Sequence, residues 1–547
     1  MTDEDVVRSY HERTKHNFNR YANSLGFLDW ASQPDPFRRY EGAEIVALSH
    51  PQDDTPLFRE AVSKKAALRP FNFETLSGFF YYSLALSAWK QYREEKWALR
   101  VNPSSGNLHP TEGYLISGPM RGLGEEAGVY HYAPKEHGLE RRARICDEAW
   151  SGLSKEFPEG SFFVGLSSVH WREAWKYGER AFRYCQHDAG HALAALRYAA
   201  AIYGWELETV DGVSDDDISA LLGINRDDGF HPEEREAPDL LCVVYPGGKK
   251  PEKRAEITQE AVLGVSKSEW FGKANMLSEN HCPWDVIAAA SKAAHSGKPH
   301  RMGPDMRASF KPLSEIKSEG ASARIGAIVR SRRSVQVMDG ETEMERDVFY
   351  RILSRTMPDK NGVPFDCAAW TGFVHFAMFV HRVRGISPGL YALARRAERV
   401  DFLKEKMFEG FDWEKPAGTP KDLPLYVLKK GDARVLGSQL SCNQPIASDS
   451  AFSLGMLAEF DESIEKYGAS FYRRLFWETG MIGQVLYLEA EAFELEGTGI
   501  GCFFDDPVHT LFGIKDKSLQ SLYHFTIGGG LHDDRLQTVE AYAHLAK

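Results

Sequence analysis

Residues 176–224 and 466–514 align without a gap at a spacing of 290, and 13 of the 49 aligned positions are identical. Lys176-Tyr177-Gly178 recurs as Lys466-Tyr467-Gly468, Asp215-Asp216 as Asp505-Asp506, and Gly223-Ile224 as Gly513-Ile514. Self-similarity at a fixed period means one structural unit used twice. The chain is therefore expected to hold two copies of one domain, most simply a fused pseudo-dimer in which the two repeated helices pack together.

The rest of the chain fits this division, because 547 residues exceed what one core organises. Residues 1–56 read as a polar, aromatic-dotted N-terminal arm, 57–251 as the first domain, 252–320 as a partly helical linker and 321–547 as the second domain. Apolar residues recur at helical spacing from Phe71 to Trp89, with Asn72 or Thr75 as cap. Strands are expected at 114–117, 129–132, 161–166 and 240–245, then at 373–381 and 425–428. The Ala/Leu-rich run after Lys176 is apolar on most faces and predicts a buried helix. Together these predict an α+β fold.

A net charge of -12 and a pI near 5.9 argue against nucleic acid. No apolar run approaches the roughly 18 residues of a membrane helix and the N-terminus has no signal-peptide core. Seven cysteines without a CxxC pair fit a reducing compartment. A cytoplasmic protein without membrane or nucleic-acid partners is expected.

Chemistry concentrates in Arg100-Val-Asn-Pro-Ser-Ser-Gly-Asn-Leu-His-Pro110. Pro103 and Pro110 stiffen its ends, Gly106 admits close backbone approach, and Ser104, Ser105 and Asn107 offer hydroxyls and an amide suited to a heterocycle edge. An ordinary turn uses the same residues. The second copy has Pro364-Phe-Asp-Cys-Ala-Ala-Trp370 there instead. Conversely, only the second copy has Arg332-Arg333-Ser334, where the first has Lys64-Lys65-Ala66, and only it has Gly497-Thr498-Gly499-Ile500-Gly501 and the terminal Arg535. Each copy keeps half of a site.

These stretches resemble the SagB/ThcOx branch of the flavin-dependent nitroreductase superfamily: Arg-x-x-Pro-Ser-Ser-Gly-x-Leu-His-Pro followed by Lys-Tyr-Gly-Glu-Arg in the first copy, and Arg-Arg-Ser with Gly-Thr-Gly-Ile-Gly in the second. The resemblance runs in tandem over nearly the whole chain. It implies two fused FMN-dependent nitroreductase-like domains forming a pseudo-dimer with one composite FMN site, the second interface site having degenerated. Arg332, Arg333, Ser334 and Arg535 would hold the phosphate. Arg100, Pro103, Ser104, Ser105, Gly106 and Asn107 would line the isoalloxazine, and Gly497, Thr498, Gly499, Ile500 and Gly501 would run along it. Arg332 or Arg333 would stabilise the reduced flavin. Lys176 and Tyr177 match the family's proton-removing pair, although their recurrence as Lys466-Tyr467 equally suits a structural role.

The implied activity is an FMN-dependent dehydrogenase passing hydride between a small-molecule or peptide-derived substrate and flavin N5. An NAD(P)H-dependent reductase of small acceptors and a non-catalytic flavin-binding scaffold are the alternatives. No leader-peptide-binding segment is recognisable, which argues against a dedicated peptide role. A fused pseudo-dimer can exist as a monomer. No metal is expected, since His187, His191 and Asp188 have helical spacing but no evident third ligand. The Gly497–Gly501 run lacks the Lys-Ser/Thr of a P-loop and the context of a dinucleotide fingerprint. Cys442 reads as a buried or incidental cysteine rather than a nucleophile, and Asp505-Asp506 as a turn anchor or helix cap.

Overall fold

The structure is a computed structural model that describes residues 1–226, 229–249, 256–299 and 322–545. These form two compact units. The first-copy unit comprises residues 23–56, the described residues of 60–299, and 536–545; the second-copy unit comprises 1–22, 57–59 and 322–535. The stretch read as one N-terminal arm is thus divided between the units, with the helix Asp3–Arg13 in the second-copy unit. A Thr2/Asp5 capping box starts that helix, and its buried His11 ring lies 4.4 Å from Phe460. Residues 256–299 of the expected linker fold within the first-copy unit and carry the helices Gln259–Ser266 and Asp285–Ala293. Its residues 252–255 and 300–320 lie outside the described residues.

Each unit is built on an antiparallel sheet. In the first the strands lie in the order Gly138–Ile145, Ala127–Ala133, Thr111–Ser117, Phe162–Val169, Glu236–Pro246, Trp205–Thr209. In the second the order is Leu425–Lys430, Gly389–Leu393, Val374–Val380, Phe452–Glu459, Leu519–Gly528, Glu496–Ile500. The topology is the same. Short strands Glu269–Trp270 and Ile45–Ala47 extend the first sheet, both pairing with Gly138–Ile145. Helices pack on the sheets and bury apolar layers such as Ile116, Val129, Phe163 and Leu221 in the first unit and Phe379, Leu457, Val508 and Phe512 in the second.

The repeat is equally visible in the helices. Ala181–Ile202 and Phe471–Ala492 each run for 22 residues from equivalent positions, and every residue of the former is buried, as its apolar sequence predicts. Asp215–Leu222 and Asp505–Phe512 both end at a left-handed glycine, Gly223 (φ 69°) and Gly513 (φ 78°). The paired aspartates at their starts anchor outlying chain: Asp215 accepts from Ser296 N at 2.7 Å, and Asp505 from His16 N at 2.9 Å.

One expected element is two. The helix predicted over Phe71–Trp89 spans Phe73–Tyr81, started by an Asn72/Thr75 capping box, and the chain then enters a strand, Leu86–Tyr92. That strand pairs with Glu95–Arg100 on one side and Gln537–Val539 on the other. Pairing with a segment over 440 residues distant overrides apolar spacing that suits either structure. The Arg100–Pro110 loop therefore leaves a hairpin, not a helix. No helix of the described residues is long and apolar enough to cross a membrane.

Candidate functional site

In the first-copy unit the Arg100–Pro110 loop braces itself. Gly106, Asn107 and His109 all take positive φ (59°, 61° and 52°), a tight path that only glycine follows without strain. Ser104 Oγ accepts from His109 N at 2.8 Å; Asn107 donates to Ala98 O at 2.8 Å and bonds His109 Nε2 through its Oδ1 at 2.9 Å. Burial and the neighbouring guanidinium groups of Arg100 and Arg172 hold the His109 pKa well below its ordinary value, so this ring is neutral. Arg100 is buried and donates to the Thr111 and Pro36 carbonyls, bracing the loop entry. Burial pulls its pKa down to about 10. Pro103 is buried, and the exposed part of the loop is the backbone at Gly106.

The loop tip meets the Lys-Tyr pair. A Cβ at Gly106 would lie 2.6 Å from Tyr177 Oη and 3.2 Å from Lys176 Nζ. Lys176 and Tyr177 close the helix His170–Tyr177, both half-buried, with the ammonium 5.4 Å from the phenol ring centroid. Two buried acids, which sequence reasoning did not place here, stand behind them. Asp188, on the central helix, receives Ser105 N at 3.1 Å and Ser105 Oγ at 3.0 Å. Burial raises its pKa to about 7 against the pull of the Ser104 and Ser105 hydrogen bonds. Glu173, three residues before Lys176, is fully buried, and among the described residues neither carboxylate oxygen has a hydrogen bond. Burial first, then the Asp188 charge, pushes its pKa well up, against the pull of nearby Lys176 and Arg172. The signal for Asp188 lay in the repeat, which aligns it with another acid, Glu478.

In the second-copy unit, Arg332, Arg333 and Ser334 follow the helix Ile325–Ser331. Tyr487 gathers them: Arg332 lies 5.0 Å over its ring, Ser334 Oγ is 2.7 Å from its hydroxyl, and that hydroxyl accepts from Gly499 N at 2.9 Å. Ser334 forms a parallel bridge with Gly497, and Thr498 Oγ1 donates to Val335 O, so the arginine turn and the glycine strand Glu496–Ile500 make one surface. Gly501 follows directly. A Cβ at Gly499 would fall 1.8 Å from Tyr523 Oη, which explains the glycine. Arg333 donates to the Arg330 and Arg332 carbonyls at 2.8 Å, and burial followed by repulsion from Arg332 and Arg330 takes its pKa down to about 10. Two crowded guanidinium groups, Arg332 buried and Arg333 half-buried, next to a hydroxyl form a donor set that an oxyanion relieves. Arg535 is 73% exposed and bonds Asp533 at 2.7 Å.

A cavity of about 470 Å³ in the first-copy unit adjoins the other end of the Lys-Tyr helix, at His170 and Trp171, with Arg235, Trp284 and Lys292 among its walls.

The nitroreductase family matches residues 329–529. Trifolitoxin-processing protein TfxB of Rhizobium leguminosarum bv. trifolii is 26% identical over 224 residues, 39% of this chain and 57% of that protein. A candidate nitroreductase of Methanocaldococcus jannaschii is 29% identical over 129 residues, 22% of this chain and 63% of its own length. The chain thus spans about six-tenths of these curated relatives. A crystal structure of a candidate nitroreductase from Anabaena variabilis matches 96% of this chain and 99% of its own, with a TM-score of 0.68 at 20% identity, so the two share a fold. Residues 329–529 are a nitroreductase-family domain, and the same strand order in the other unit makes this chain a fusion of two nitroreductase-like domains.

Proposed function

We propose that this oxidoreductase is an FMN-dependent dehydrogenase of the SagB/ThcOx type, acting on a ring or amide-like carbon next to a heteroatom. The observation that carries the reading is the contact of the Gly106 tip with Lys176 and Tyr177, in front of buried acids that have no such arrangement in the other copy. Arg332, Arg333 and Ser334, with Arg535, would hold the FMN phosphate. The glycine strand 497–501 would give its backbone to the isoalloxazine, and the loop from Arg100 through Pro103, Ser104, Ser105, Gly106 and Asn107 would shape the flavin's surroundings. The arginine turn fits the group: crowded guanidinium groups suit a phosphate. When bound, FMN supplies a two-electron acceptor at N5.

Lys176 and Tyr177 would assist removal of the substrate proton, Asp188 would hold the loop tip over them through Ser105, and Glu173, its pKa raised by burial, would place little negative charge beside Lys176. A relative named for trifolitoxin processing supports a biosynthetic dehydrogenase over a general reductase of small acceptors with NAD(P)H as donor.

Titrating the apoprotein with FMN and with riboflavin, which lacks the phosphate, tests the grip. Arg333→Ala should weaken FMN by about 10- to 100-fold, the worth of a charge-assisted hydrogen bond, and leave riboflavin unchanged. Equal weakening of both would remove Arg333 from the phosphate.

A further inference from the structure

We propose that Cys442 and Cys502 form a reversible disulfide that ties the turn after the helix Arg434–Leu440 to the end of the glycine strand. Sequence analysis reads Cys442 as buried or incidental. It is neither, because both cysteines are partly exposed and their sulfurs are in direct contact, 2.6 Å apart, within the second-copy unit.

The backbone is built to present them to each other. Cys442 and Asn443 both take positive φ, 55° and 58°, a conformation that two successive non-glycine residues hold only when their surroundings enforce it. Those surroundings are hydrogen bonds joining the same two segments. Phe504 N donates to Leu440 O at 2.9 Å, and Gln444 Nε2 donates to Cys502 O at 3.0 Å and to Ser441 O at 2.7 Å. The Tyr21 hydroxyl completes the setting. Burial and then the two cysteines push its pKa up, and Phe18 and Tyr21 pack on Phe504 at 4.8 and 5.7 Å. Sixty residues separate the two cysteines, so the bond would close a long loop of the unfolded chain. Cys502 directly follows Gly501, so the cross-link would fix the strand that carries Gly497 and Gly499.

The oxidant required is a low-molecular-weight disulfide such as glutathione disulfide. One cysteine thiolate attacks it, forming a mixed disulfide and releasing one glutathione thiolate. The second cysteine thiolate attacks the protein sulfur of that mixed disulfide, forming the Cys442–Cys502 bond and releasing the other glutathione. The protein loses two electrons to glutathione disulfide, and the two thiol protons pass to the released thiolates. A thiol reductant reverses the sequence.

The test equilibrates the full chain in oxidised and reduced glutathione mixtures, blocks free thiols by alkylation, digests without reduction and maps the peptides by mass spectrometry. Exposed Cys146 provides the internal comparison. In the oxidising mixture Cys146 should carry glutathione, while Cys442 and Cys502 appear as one linked peptide pair and the chain loses two alkylatable thiols at those positions. Cys442→Ser should leave Cys502 carrying glutathione instead. The proposal is overturned if Cys442 and Cys502 are each separately glutathionylated or alkylated in the wild-type chain while Cys146 is glutathionylated. The outcome does not depend on the flavin reading, since no flavin is needed.

Discussion

Asp188 and Glu478 occupy the same position on the central helices of the two copies, and each receives backbone N–H groups from the loop that carries that copy's Pro-rich stretch. Asp188 takes Ser105 N, whereas Glu478 takes Gly372 N at 2.7 Å and Phe373 N at 3.0 Å. The difference is the countercharge. Glu478 is paired with buried Arg395, while Asp188 is held by Ser104 and Ser105 among the described residues and its pKa is pushed up to about 7. Around Glu478 the loop is filled in: Phe365, Asp366, Cys367 and Trp370 are buried, and Trp370 and Trp477 stack edge-on at 6.0 Å. Around Asp188 the loop keeps an exposed glycine against Lys176 and Tyr177. The arginine turns differ in the same sense. Lys64 is held by Glu206 at 2.9 Å, whereas Arg333 is crowded by two further arginines.

The Lys-Tyr pairs put the sharpest strain on this comparison, because Lys466 stands over Tyr467 at 5.2 Å, nearly as Lys176 does over Tyr177. Geometry of the pair alone therefore does not distinguish the copies, but its neighbours do. Tyr467 is packed between Phe373 and Phe471. Lys176→Met should lower the oxidation rate of an azoline-ring model compound by about 10²- to 10⁴-fold, the range for removing a general base. Lys466→Met should leave it within about twofold in the same assay. Equal losses would erase the distinction.

Glu478→Ala comes next in size. It strands the Arg395 guanidinium and two loop N–H groups in the core, so chemical denaturation should show a loss of about 3–5 kcal/mol. Gly106→Val should cost about 10- to 100-fold in turnover through a displaced loop tip, because its Cβ meets Tyr177 and its φ is positive.

A further effect is in pH. Asp188 titrates near 3.8 when unfolded and about 7 when folded, so between these values the folded protein holds a proton that the unfolded chain has released. Its contribution is complete below about pH 4 and is lost as pH rises through about 7, at no more than about 1.4 kcal/mol per pH unit. Asp188→Asn should flatten that slope in urea melts between pH 5 and 7.5. Ser105→Ala, which removes a hydrogen bond that lowers this pKa, should move the transition to higher pH.

Much of this was legible in the sequence. The 290-residue spacing predicts the two copies and locates the matched helices, and the run after Lys176 announces its own burial. Three things were not legible, for physical reasons. Leu86–Tyr92 has apolar spacing that suits a helix, and its pairing with Glu95–Arg100 and with distant Gln537–Val539 makes it a strand. The N-terminal helix belongs with residues near Asp461 and Tyr472, contacts that no local pattern encodes. Within the loop, Ser104, Ser105 and Asn107 read as groups offered to a ligand, yet their bonds go to Asp188, Ala98 and His109. Donor chemistry is written in residue type, but its direction depends on backbone turns at Gly106, Asn107 and His109. Asp188 itself could have been found by aligning it with Glu478.

The proposed reading leaves one FMN per chain, held at Arg332, Arg333 and Ser334 and not at Lys64. Its most direct test is the amount of flavin released per chain from purified, FMN-saturated protein, in the wild type and in Gly106→Val, Arg333→Ala and Lys64→Ala. One FMN per chain is expected, reduced by Gly106→Val and by Arg333→Ala and unaffected by Lys64→Ala. Two FMN per chain, or a loss on Lys64→Ala equal to that on Arg333→Ala, would contradict it.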